Sequence, residues 1–194
     1  MVTIEPSAFL PVLRRHITGP LDVWMLDAVG EAAIEFCRQS ELICQEKVVA
    51  NADAGELITV CDELGMKSCN LLYLTDADSN PLESGRDYYP ISSNDISVIT
   101  PWVNVRIGFA VEPVQGAEVL PEVLFRDHAE AIAAGAAAIL YAQPEKPWTD
   151  PKRAGFYQQV FTEGWRRAFR FRKEHAIQPK TQVFINPVRR REFF

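Results

Sequence analysis

The chain has no long hydrophobic run. Its longest apolar stretch, Ala131 to Ala142, is short and mostly alanine, whereas a membrane-spanning helix needs about 18 to 20 consecutive apolar residues. No membrane span is therefore expected. Histidine is scarce, and His16, His128 and His175 lie far apart with none at a metal-ligand spacing. The four cysteines, Cys37, Cys44, Cys61 and Cys69, form no CxxC pair and read as reduced, structural thiols. A GxSxG turn is missing, and "IAAGAAAI" has neither the glycine pattern nor the lysine of a phosphate-binding loop. These gaps argue against nucleophilic, metal-dependent and nucleotide-dependent catalysis. Internal repeats and low-complexity tracts are lacking too. The opening "MVTIEPSAF" carries no basic segment followed by an apolar one, so no secretory signal is expected and a cytoplasmic setting is.

What remains is a chain of 194 residues, 47% hydrophobic, enough for one core. Its charge is divided between the two ends. Residues 1–125 carry 7 Lys+Arg against 19 Asp+Glu, and residues 126–194 carry 13 against 7. Such a division fits either a nucleic-acid arm or subunits and partners matched through complementary fields.

Residues Phe9 to Ile17 form a short apolar segment, followed by an amphipathic helix over Leu21–Gln39. Met25, Val29, Ala32, Ala33 and Phe36 share its inner face, and Asp27, Glu31 and Glu35 line an acidic outer one. After Ser40, "LICQEKVVA", "ELITVCD" and "CNLLYLTD" read as strands between turn-rich clusters. Val103, Val105, Ile107, Phe109 and Val111 alternate with more polar or small residues, which predicts a strand with one buried face. The loop "DADSNPLESGRD" places Asp76, Asp78 and Asn80 at calcium-loop spacing. Pro81 at the sixth position and Asp87 at the twelfth break that pattern, leaving a polar hairpin turn.

Helix resumes near Pro121, with Asp127 and Glu130 offering a second possible start as a capping box. Leu124, His128, Ile132, Gly135 and Ile139 form its apolar or small stripe, and the run Gly135 to Ala138 permits a close helix contact. Pro144 ends it. Asp150 can cap the next helix with Pro151 in its first turn. Phe156, Val160, Phe161, Gly164, Ala168 and Phe171 make the expected core-facing stripe there. Pro147, Trp148 and Pro151 are assigned to a structural joint between these two helices.

The expected fold is α+β: an antiparallel helical core over about 8–40 and 121–175, an inserted β-strand region over about 41–113, and an extended carboxyl-terminal tail over about 178–194. The basic helix mixes Arg166, Arg167, Arg170, Arg172 and Lys173 with Trp165, Phe169 and Phe171. That mixture can grip phosphates and stack bases. Arginine and aromatic residues are also the types enriched at protein-interface hot spots. A nucleic-acid-binding accessory module working through the basic helix therefore stands as the alternative to a structural protein, with a small hydrolase a distant third.

The block "AIAAGAAAILYAQPEKPWTDPKRAGFYQQVFTEGWRRA" resembles the carboxyl-terminal half of the head-to-tail connector (adaptor) proteins of tailed bacteriophages. In that group a small-residue helix is followed by a P-x-K-P-W-T/S-D/N-P break and a Y/F-x-x-x-F-x-x-G helix. "LDAVGEAAIEFCRQSELICQE" resembles the group's amino-terminal helix, and "YLTDADSNPLE" and "VNVRIGFAVEP" occupy the places of its strand, turn and strand pieces. The similarity covers most of residues 20–175. It implies a structural protein without enzymatic activity or cofactor, forming a ring, usually twelvefold, beneath the portal at the unique capsid vertex. Such a ring extends a channel through which DNA passes without sequence recognition, and it offers a platform to further neck or tail proteins. The implied location is the neck of the virion, reached by assembly in the host cytoplasm. A carboxyl-terminal segment reaching onto the portal or a neighbouring subunit is implied as well. Val183, Phe184, Ile185, Arg189, Arg190, Arg191, Phe193 and Phe194 then join Arg166, Arg167 and Arg170 as expected contacts.

Overall fold

The computed structural model describes residues 1–175. In chain order it contains β1 (Thr3–Ile4), a single 3-10 turn (Pro6–Phe9) running into α1 (Leu10–Leu13), α2 (Asp22–Ser40), β2 (Cys44–Ala52), β3 (Leu57–Thr59), β4 (Met66–Thr75), β5 (Tyr88–Pro90), β6 (Asp95–Val98), β7 (Trp102–Pro113), β8 (Leu120–Pro121), α3 (Glu122–Ala142) and α4 (Pro151–His175). This is the α+β class read from the sequence.

The heptad-like spacing of Met25, Val29, Ala32, Ala33 and Phe36 buries one side of α2 completely. Asp22 in its first turn and Arg38 in its last complement the helix dipole. Glu41, with φ 47°, closes it in the left-handed conformation. Asp27 and Glu31 point outward, and Glu35 is half-buried, accepting a hydrogen bond from Gln39 at 2.7 Å.

α3 departs from expectation. The sequence pattern predicts one apolar stripe, yet every side from Ile132 to Ala138 is buried, because α1, α2 and α4 all pack around it. Alanine permits this, since it fits beside a neighbouring backbone on any face. The helix starts at Glu122 and not at the Asp127 capping box; Asp127 instead accepts hydrogen bonds from the Arg126 guanidinium at 2.9 and 3.0 Å. β1 reaches across to β8, pairing Thr3 with Pro121 at the root of the helix. On α4, Asp150 Oδ1 accepts from the backbone N–H groups of Lys152 and Arg153 at 3.0 and 3.1 Å, the cap foreseen from "WTDP".

The strands make two three-stranded antiparallel sheets, ordered β2-β7-β4 and β3-β6-β5. Val105, Ile107, Phe109 and Val111 of β7 face a core that also holds Val49, Leu74, Ile96 and Val98. Val103 does not join them: it is 63% exposed, beside Asn104 with φ 51°. Past Gly108 both faces of β7 are buried because α2 covers the second one. Ile43 packs against both the helical and the sheet core. Glu112, near the end of β7, is only 2% exposed; its carboxylate accepts a forked pair from Arg38 of α2, both at 2.8 Å, and lies 3.3 Å from Lys67 Nζ of β4. The "DADSNP" segment is a polar turn in which Asp76 accepts from the backbone of Asp78 and Asn80 and from the Asn80 side chain.

Candidate assembly surface

The packed side of α4 is built from Ala154, Tyr157, Phe161, Trp165 and Ala168, set against the helical core, with Gly164 against Ala131 of α3. This corrects the expected stripe. Phe161, Gly164 and Ala168 belong to it, but Phe156, Val160 and Phe171 lie on the other side, 59%, 41% and 57% exposed. α4 instead turns a row of large apolar side chains to the outside. Helical rotation brings Arg167 onto the same row, four residues before Phe171.

The five basic residues near the end of α4 are likewise divided. Arg166, Arg167, Arg170 and Lys173 are exposed. Arg166 pairs with Glu163 at 3.2 Å, whereas Arg167 and Arg170 have no ion-pair partner among the described residues. Arg172 is turned inward: it pairs with Glu41 at the end of α2, and its Nε has no hydrogen-bond partner among the described residues. Burial pulls its guanidinium below the usual value. Only helical phase separates Arg172 from its neighbours in the sequence: it falls four residues beyond the buried Ala168. Val183, Phe184, Ile185, Arg189, Arg190, Arg191, Phe193 and Phe194 lie outside the described residues.

Between α3 and α4, Pro147 is exposed and Pro151 opens α4. Trp148 is half-buried, its ring 5.2 Å from that of Trp24 on α2, with the Lys146 ammonium 4.7 Å above Trp24. Trp148→Ala is expected to cost about 2–3 kcal/mol in denaturant unfolding, less than a fully buried Trp because the site is partly open. An unchanged midpoint would remove any structural role from this residue.

A groove of about 520 Å³ opens on the outer flank of α2, lined by Leu26, Asp27 and Gly30, by Glu5, and by Glu118 and Val119 of the segment leading to β8. Among the described residues no basic group pairs with Glu5, Asp27 or Glu118. Asp27 and the basic face of α4 therefore give the helical layer two outer surfaces of opposite charge, each turned away from α3.

Several thiol and imidazole groups sit in structural surroundings. Burial pushes the Cys37 thiol far up and the Cys69 thiol up to about 11, the reverse of an activated nucleophile. His16 contacts Glu130 at 3.1 Å, and its backbone carbonyl accepts from the Tyr141 hydroxyl at 2.9 Å. The His128 ring lies 4.9 Å from that of Phe36, tilted by 41°, and burial lowers its pKa. No three His, Cys, Asp or Glu among the described residues form a metal-binding group. None of their helices is long and apolar enough to cross a membrane.

No protein-family model matches the chain, and no curated protein does. Among solved structures the chain is similar to one in the neck of an empty GTA particle computed with C6 symmetry, at 20% identity over 81% of this chain and 95% of that one, with a TM-score of 0.26.

Proposed function

We propose that this chain is a structural subunit of the head-to-tail connection of a tailed-phage particle, forming a ring below the portal. The observation that carries this reading is the outer face of α4, where Phe156, Val160 and Phe171 are exposed on a well-formed 25-residue helix. Exposed aromatic side chains beside unpaired arginines are what a protein interface uses as anchors. The connector-like sequence of α3, the Pro147–Trp148 break and α4 supplies the kind of assembly. In this reading the ring is twelvefold, an acidic channel wall lets DNA slide through without sticking, and further neck or tail proteins attach on the far side. Arg166, Arg167, Arg170 and the segment Val183 to Phe194 contact the portal or a neighbouring subunit.

The test is light scattering on the purified chain, alone and with candidate portal assemblies, at low and high salt. A stoichiometric ring on the portal at both salts is the expected result. Deleting Val183 to Phe194 is expected to leave thermal unfolding unchanged and to weaken portal binding at least tenfold. Unchanged binding would remove the tail from the contact. A nucleic-acid module is favoured instead by the exposed Arg166, Arg167, Arg170 and Lys173. It predicts DNA binding that falls steeply with salt and no interaction with a portal.

A further inference from the structure

We infer that the outer face of α4 in one copy docks into the acidic groove on α2 of the next copy, with Phe171 as the anchor and Arg167 and Arg170 as its charged flanks. The inference deepens the ring reading by naming the contact between subunits. Phe171 is 57% exposed and, among the described residues, stacks on His175 of its own helix alone, with ring centroids 4.3 Å apart. The two flanking arginines have no ion-pair partner among the described residues, and neither do the carboxylates of Glu5, Asp27 and Glu118 at the groove. Leu26 and Val119 supply apolar lining for a ring, and the carboxylates flank it. An aromatic residue with two arginines beside it matches an apolar slot bordered by acids in polarity and in charge.

The two surfaces are different patches of one copy, α4 supplying one and α2 with the segment before β8 the other. Each copy gives its α4 face to one neighbour and its groove to another. Such head-to-tail contacts close into a ring or run on as a filament. Asp27 is thereby placed between subunits and not on the channel wall.

The experiment is sedimentation of the full-length chain up to about 1 mM, a range that captures contacts of only about 4 kcal/mol. Wild type is expected to associate with concentration. Arg167→Glu/Arg170→Glu and Asp27→Arg/Glu118→Arg are each expected to weaken association at least tenfold while melting like wild type. Mixing the two variants restores it, because the reversed α4 face of one fits the reversed groove of the other, and the remaining pair of surfaces is native. Phe171→Ala weakens association without any rescue by mixing. Failure of mixing to restore association overturns the inference, as does indifference of wild-type association to the charge reversals. A wild-type chain that stays monomeric throughout, yet joins a portal as a ring, also overturns this contact but leaves the connector reading intact. Charge-swap rescue in a chain that ignores every portal has the opposite meaning: the contact stands and the connector reading falls.

Discussion

Replacing Gly164 with Ala is expected to lower the melting temperature by up to about 8 °C, although alanine is the better helix former by about 1 kcal/mol. A Cβ added at Gly164 would sit 2.4 Å from the Cβ of Ala131, too close for either helix to keep its place. The same contact is tightened one turn along α3, where a Cβ at Gly135 would stand 2.6 Å from the ring of Phe161. Neither neighbour has an easy way out: Ala131 Cβ is fixed by the backbone of α3, and Phe161 is 3% exposed. Overpacking of this kind costs about 1–3 kcal/mol. Removing the opposing methyl with Ala131→Gly in the same chain is expected to return most of the loss attributable to the clash. A rise in melting temperature for Gly164→Ala alone would mean that the helices are not in close contact there.

Arg38→Leu is expected to cost about 3 kcal/mol or more in denaturant unfolding, among the largest effects of any single change outside the hydrophobic core. It strips Glu112 of its forked partner and leaves an almost fully buried carboxylate with only Lys67 at 3.3 Å. The double variant Arg38→Leu/Glu112→Leu is expected to be more stable than Arg38→Leu, since no charge is then left buried without its partner. If Arg38→Leu cost under about 1 kcal/mol, the bond between α2 and β7 would be no stronger than a surface ion pair.

Much of the framework was legible because it depends on local chemistry. Asp150 before Pro151 could do little but begin a helix, and the repeat from Met25 to Phe36 leaves only one way to bury α2. Other features depend on what lies opposite. On α4 the aromatic residues occupy two neighbouring phases, and Phe161, Gly164 and Ala168 fit either; Tyr157 packs inward in place of Phe156 against Tyr141 of α3, whose ring it stacks on. Glu112 fell among outward positions of an alternating strand, and its burial follows from α2 closing over the end of β7. Val103 followed the alternation in sequence but not in space, as the positive φ of Asn104 interrupts the pleat. The candidate surface was half legible: Arg166, Arg167 and Arg170 were recognisable as basic neighbours, but the groove that faces another copy is assembled from three separated segments. No local pattern marks such a groove.

Between Ser40 and Glu122 the chain leaves the helical layer, builds two sheets and returns to pair β8 with β1. To the helices this whole excursion is one loop, and the entropy of closing a loop rises only with the logarithm of its length, about 0.6 kcal/mol for each doubling. Turns remote from Ile43 and Glu112, such as the one at Asp76 to Asn80, could therefore lengthen or shorten at little cost to α2, α3 and α4. In the proposed ring the helices would set how subunits meet, while the hairpin tips would be free to be fitted to whatever lies above or below them.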